Sequence, residues 1–495
     1  MNDFRLITLC AGLSLAGILT PAHAYDSGST GVDGAFSPTV NTELTLPPSG
    51  VFNFTTVNIP AGVTVTFRKN TANTPVVMLA TGNVTVAGAI VVSGSDAAAS
   101  GAAGDGNIGD DGVPGIGGPG GYDGGRGGAT GSNKRGGAGL GPGGGGFGGT
   151  GTWPWADTRI AGGGGGFGAS GANSSYGGNT QSYHSGTGLG GGGYGSSQLL
   201  PLIGGSGGGG GAGGNSFVGG GGGGGGGALL IASSGTASVT GALRANGGRG
   251  GISAGSGRGA EGGSGSGGAI RVVATTISGN GAIEAIGAVQ DFGSGGDAGG
   301  YYVDDGGNGA RGRIRLEAET YTRTAASSPV HTFSAPGAAF VAGLPTLRIV
   351  SVAGVDAPAN PTGNADITLP ASTANPVAIQ FATTGVPVGN TVSLRISPAY
   401  GATTTVVSPA ITGSTAAGTA AVTATLPSGP SVLSASTTYT IVAAMGEALS
   451  TYAQGEMVEK VRLATTVNGP TQVTLISVSG KEYDAPHAVL AMLAD

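Results

Sequence analysis

Carboxylates are the residues that sequence best places to do chemistry. Asp110 with Asp111 and Asp304 with Asp305 form adjacent pairs, and Glu284, Asp291 and Asp297 stand near the second pair. Two carboxyls held at a set separation across a cleft would serve glycoside hydrolysis, one as acid and the other as base or nucleophile. These lie in glycine-rich surroundings that do little to fix a separation, so solvated turn residues are the simpler reading. Nucleophilic catalysis has less to work with. Besides His23 the histidines are His184, His331 and His487, and none sits in a Gly-x-Ser-x-Gly elbow. A calcium loop begins at Asp105-Gly106-Asn107 but lacks the glycine at its sixth position, and Ile116 stands where the closing Glu is needed. The many G-x-G-x-x-G matches follow from composition, and none opens a helix after a strand. No catalytic residue, metal site or cofactor is assigned.

Binding has better candidates. The belt 97–227 carries scattered aromatics, among them Trp153, Trp155, Tyr183 and Tyr194. An aromatic ring offers a flat apolar face for a sugar or another hydrophobic partner. The same rings would equally pin a glycine-rich segment onto a scaffold.

The N-terminus reads as an export signal. Arg5 precedes an apolar run, 6–19, and Ala22-His23-Ala24 supplies an A-x-A cleavage site, so the mature chain is expected to begin at Tyr25. The one cysteine, Cys10, falls inside the signal, which leaves the mature chain without a disulfide, thiolate ligand or thiol nucleophile. No later run is long enough to cross a bilayer as a helix. A net charge of -6 argues against nucleic acid, which needs a basic stripe. The expected partners are an extracellular polysaccharide, a cell surface or the chain itself.

Short β-rich repeats must position whatever the belt carries. VVMLATGNVTVAGAIVVSG (76–94), ALLIASSGTASVTGALRANG (228–247) and AIRVVATTISGNGAIEAIG (269–287) share one outline, and GRIRLEAET (312–320) is a truncated copy. Each reads as a buried strand, a bend, a short strand, Gly-Ala and a third strand. Such a unit suits the rung of a parallel β-helix whose inward Val, Ile and Leu form one core. An antiparallel meander shares the same periodicity. Glycine-rich stretches leave the repeats at equivalent places, 97–227, 247–268 and 287–311, as insertions on one side of a solenoid would. Glycine also recurs every third residue from Gly106 to Gly127 and from Gly259 to Gly268. That is the period of a polyproline II helix, whose glycine edge allows close lateral packing. Packed polyglycine helices and an unstructured loop both fit this pattern.

From Leu347 onward glycine falls and Ala, Thr and Val rise. Roughly seven short strands in about a hundred residues suggest an immunoglobulin-like β-sandwich. They are 347–352, 365–369, 377–381, 391–396, 404–407, 420–426 and 437–442. Two more strands, 458–465 and 471–478, and a short apolar stretch, 485–493, make a tail that either pairs with the sandwich or docks on a partner. The fold expected is all-β. A signal peptide (1–24) precedes N-terminal β-rungs (25–96), a glycine-rich insertion (97–227), further rungs with shorter glycine-rich loops (228–321) and a linker (322–344). The sandwich (345–446) and the C-terminal segment (447–495) follow.

The AIRVVATTISGNGAIEAIG copies and the polyglycine between them resemble those of secreted bacterial glycine-rich β-helix proteins, a loose group that includes adhesin-like surface proteins. The resemblance covers about residues 50 to 320, brings no catalytic residues, and implies an exported surface or matrix role. The function expected is therefore structural or adhesive. A carbohydrate-active β-helix enzyme and ice or interface binding through polyglycine helices are the alternatives.

Overall fold

The computed structural model describes residues 25–100, 112–130, 134–148, 160–174, 188–214, 217–252, 259–290, 305–339, 345–358, 367–400, 402–467, 471–485, 489 and 493. Its first part contains β1 (Gly34–Phe36), β2 (Thr42–Thr45), β3 (Val51–Ile59), β4 (Thr64–Arg68), β5 (Val76–Ala80), β6 (Val84–Val86) and β7 (Ala89–Val91). After the belt come β8 (Ala228–Val239), β9 (Ala242–Arg244), β10 (Ala269–Ser278), β11 (Ala282–Glu284), β12 (Arg313–Tyr321) and β13 (Thr332–Ser334). One sheet runs β1-β3-β5-β8-β10-β12-β13, with β6 pairing β3 and β8, and a second runs β11-β9-β7-β4-β2. Every pairing within these two sheets is parallel. The arrangement is solenoid-like, and the antiparallel meander is excluded.

The repeats stack in register. Met78, Ile231, Val272 and Leu316 form one inward ladder of the first sheet. Val65, Ile90, Leu243 and Ile283 form the facing ladder of the second. Both ladders belong to one core, and the large side chains in it are almost wholly withdrawn from water. Burying each such aliphatic side chain contributes about 1.5–3 kcal/mol. The bend expected inside each repeat is present only in the first copy, between β5 and β6. In β8 and β10 the chain passes through it as a single strand.

The outer face of the first sheet is also covered. Val77, Leu79, Leu230, Ala232 and Val273 pack under Tyr25, Val51, Leu202 and Ala339. A parallel sheet buried on both faces reads as a continuous apolar run rather than an alternation, which is why VVMLA and ALLIA look as they do. At the end of this face the outward ladder changes from Val77 and Leu230 to Arg271 and Arg315. Arg271 grips Glu317 with two bonds, Nε to Oε1 at 2.8 Å and Nη2 to Oε2 at 3.1 Å. Arg315 Nε adds a third at 2.7 Å and the Gly337 amide a fourth at 2.7 Å. Arg271 also donates to the carbonyls of Ala338 and Ala339. The stretch that reads in sequence as a linker is thus held to the solenoid, first as β13 and then through this cluster.

The second part contains β14 (Thr346–Val352), β15 (Val355–Asp356), β16 (Val377–Thr384), β17 (Thr391–Pro398), β18 (Thr404–Ala410), β19 (Thr412–Ser414), β20 (Ala417–Ala424) and β21 (Ser431–Thr440). Helix α1 (Ala443–Leu449) is followed by β22 (Val458–Thr466), β23 (Gln472–Ser477) and β24 (Glu482–Ala485). Two antiparallel sheets, β15-β14-β16-β20-β19 and β18-β17-β21-β22-β23-β24, share one apolar core. Alternation along the strands sets it: in β17, Val392, Leu394 and Ile396 are buried between more exposed neighbours. The tail strands β22 to β24 extend the sheet of β21, so the tail pairs with this unit. The strand expected at 365–369 is not formed by its described residues, 367–369. Most of the apolar stretch 485–493 lies outside the described residues.

Candidate functional site: the glycine bundle

The belt is a hydrogen-bonded bundle of extended segments. Segment 203–214 shows the rule. From Gly207 to Gly213 its amides donate in rotation to three neighbours, a rule broken before that at Ser206, which donates to the Ser266 hydroxyl. Gly207, Gly210 and Gly213 donate to Leu140, Gly137 and Lys134, and Gly205, Gly208 and Gly211 to Gly226, Gly223 and Gly220. Gly209 and Ala212 donate to Gly163 and Ile160. Its carbonyls accept from three further neighbours: from Tyr122, Gly125 and Gly128, from Gly145 and Gly148, and from Ala260, Gly263 and Ser266. A helix with three residues per turn presents three donor faces and three acceptor directions, and here all six are occupied. The lattice answers the demand that buried backbone groups be paired mostly backbone to backbone, with hydroxyls such as those of Ser206 and Ser266 filling single places.

Glycine is required by distance. A Cβ on Gly124, Gly127, Gly208 or Gly209 would stand closer than 3.0 Å to a neighbouring carbonyl oxygen. Among the described glycines of the belt, positive φ occurs only at Gly112, Gly120, Gly141 and Gly195. Ordering each residue's backbone costs about 1–2 kcal/mol, while a net hydrogen bond contributes about 0.5–1.5 kcal/mol. These terms nearly cancel, so the bundle depends on its anchorage. Segments 218–227, 259–268 and 305–312 run directly into β8, β10 and β12. At this near end Phe167, Tyr194, Leu199 and Ile203 pack with Ala228 and Ala269. Lys69 and Asn73 donate to the carbonyl of Gly121, and Lys69 also reaches Asp123 at 3.1 Å.

The stretches that join these segments lie outside the described residues. Residues 100 and 112, 130 and 134, 148 and 160, 174 and 188, 214 and 217, 252 and 259, and 290 and 305 bound these connections. Trp153, Trp155, Tyr183, His184, Asp110, Asp111, Asp291, Asp297 and Asp304 belong in sequence to such connections and lie outside the described residues. Tyr194 is described, and it is no open platform. Its ring is buried against Phe167 with centroids 4.9 Å apart, and its hydroxyl donates to the Gly204 carbonyl at 2.6 Å. Burial pushes that hydroxyl well above the ordinary phenol range, so it stays a donor. The Ser206 hydroxyl donates to it in turn, at 3.0 Å. Tyr194→Phe removes both bonds and is expected to cost about 1–3 kcal/mol, read as a lower denaturant midpoint for the unit that holds the bundle.

Of the carboxylates weighed for chemistry, Glu284 is bound to Arg244 at 3.0 Å. Asp305 is half-buried, and burial raises its pKa. His331 holds the hydroxyls of Tyr321 and Ser327 at 3.0 and 2.9 Å, one on each ring nitrogen, at the solenoid's last rung. Among the described residues no cluster of three or more His, Cys, Asp or Glu side chains could hold a metal ion, and no helix is long and apolar enough to cross a membrane. Sequence reasoning did not single out the Arg271–Glu317–Arg315 cluster. Its one signal was charge at positions where the earlier copies carry Val77 and Leu230. No protein-family model, curated protein or solved structure matches the chain.

Proposed function

We propose that this chain is a secreted structural or surface-adhesion protein. In this reading a parallel β-helix carries the polyglycine bundle as a stiff mount, and an immunoglobulin-like β-sandwich follows as a spacer or second binding module. One observation carries the proposal: extended segments held to their neighbours by backbone bonds run into β8, β10 and β12, and this lattice fixes the described residues between which the joining stretches lie in sequence. Those stretches hold both tryptophans and four of the five acidic residues of the belt. A scaffold of this kind suits recognition, because it fixes where its loops begin and end at little cost on binding.

The alternatives find less support. For a carbohydrate-active enzyme, the described carboxylates Glu284 and Asp123 are already committed to Arg244 and Lys69. For binding ice or an interface through glycine helices, the densest glycine runs are buried against one another. The test is adhesion of the mature chain to polysaccharide-coated surfaces, whole cells and itself. A second protein has 149–159 and 175–187 replaced by Gly-Ser connections of equal length. Adhesion by the first and a loss of at least tenfold in the second, with unchanged melting, is the expected result. Equal adhesion by both, or none by either, refutes the display role.

A further inference from the structure

A cleft of about 510 Å³ opens beside the last rung. Arg311, Arg313, Ser328 and Thr332 line it, together with Ile286 and Val330, and no carboxylate does so among the described residues. Arg311 is exposed and makes no ion pair among them. Arg313 is placed more firmly. Its guanidinium lies 5.8 Å from the centre of the Phe167 ring and donates through Nη2 to the Tyr194 carbonyl at 3.2 Å. Its Nε is buried and has no hydrogen-bond partner. In a chain of net charge -6, two arginines with no acid facing them among the described residues are a local exception. Ile286 and Val330 are large apolar side chains left open to solvent at the same place, 42 % and 80 % exposed.

Paired guanidiniums select a planar carboxylate, which they bind through parallel N–H bonds. Hydroxyls beside them match ring hydroxyls, and an aliphatic wall matches the C–H face of a sugar. We infer that this cleft binds an acidic saccharide of the uronic-acid class. The carboxylate meets Arg311 and the part of Arg313 that lines the cleft, the ring hydroxyls meet Ser328 and Thr332, and the C–H face lies on Ile286 and Val330. The site is built from the ends of the last rungs, so it does not depend on the display role of the bundle.

The experiment titrates the mature chain with trigalacturonate, maltotriose and sodium sulfate, by saturation-transfer NMR and calorimetry. Arg311→Ala, Arg311→Lys and Thr332→Trp are carried alongside, with melting checked for each. Saturable binding of trigalacturonate is expected, at least tenfold tighter than maltotriose and weakened by salt. Losing a charged hydrogen-bond pair should weaken it about ten- to a hundredfold in Arg311→Ala. Arg311→Lys, which keeps charge without the fork, should fall between. Thr332→Trp fills the cleft and should abolish binding. Absence of saturable binding, or equal binding by folded Arg311→Ala and Thr332→Trp, overturns the site. Sulfate binding as tightly as trigalacturonate overturns its assignment to a saccharide.

Discussion

Gly191→Ala is expected to disrupt the bundle, whereas Gly192→Ala, one residue on, is expected to be tolerated. Gly191 is buried, and a Cβ there would lie closer than 3.0 Å to the Gly143 carbonyl oxygen and carbon. The segments would have to separate, and no flexible side chain is present to yield instead. Gly191 also donates to Gly164 and accepts from Gly171, and both bonds would be strained. Overpacking of this kind costs about 1–3 kcal/mol, and the two bonds add about 1 kcal/mol each. Gly192 is exposed, has nothing within 4 Å of its Cβ position and has no positive φ. Alanine there restricts only the unfolded chain and should stabilise by about 0.4–1 kcal/mol. Melting and amide exchange of residues 143–148 and 160–167 read the difference. Equal behaviour of the two variants would contradict the lattice.

Glu317→Ala should be the most damaging single change in the solenoid. Glu317 and Arg271 are 1 % and 2 % exposed. Removing the carboxylate leaves the Arg271 guanidinium buried without its charge partner, a loss of about 3–5 kcal/mol for a broken buried pair. It also frees the Gly337 amide and so loosens residues 335–339 from the sheet. Burial pushes the Glu317 pKa up, but the bonds and charge of Arg271, with the bonds from Arg315 and Gly337, outweigh it and hold the carboxyl below its ordinary value. A lowered folded-state pKa contributes stability that is complete above the unfolded value of about 4.3 and is lost as pH falls through the folded value. The wild type should therefore lose stability on acidification below about pH 4.5. Glu317→Ala, already destabilised, should lack this part of the pH dependence. Denaturant midpoints at pH 7 and in the acid range check both statements.

The glycine spacing of the belt was legible, and the structure explains its two forms. Segment 112–119 lies at the edge of the bundle. Its Gly115 and Gly118 donate to Gly222 and Gly225, while Ile116 between them faces solvent. An edge helix needs glycine only on the faces turned inward, hence a glycine every third residue. Segments 203–214 and 218–227 have neighbours all round and need glycine on every face, hence unbroken runs. Which runs would pair could not be read. Gly209 donates to Gly163 and accepts from Gly263, and glycine has no side chain to encode either choice. The rungs were readable because Met78, Ile231, Val272 and Leu316 repeat one apolar position. Tyr194 could not be told from a stacking platform, because only its burial against Phe167 separates the two roles. Arg271 and Glu317 looked like ordinary strand residues, since the partners stand 46 positions apart.

Segment-resolved hydrogen exchange on the chain from Tyr25 onward tests most directly whether the belt is a glycine lattice. The amides of 203–214 and 218–227 should exchange as slowly as those of β8 and β10, because they are bonded on every side and continuous with those strands. Exchange of these glycine runs at the rate of an unstructured peptide, while β8 and β10 stay protected, would contradict the account.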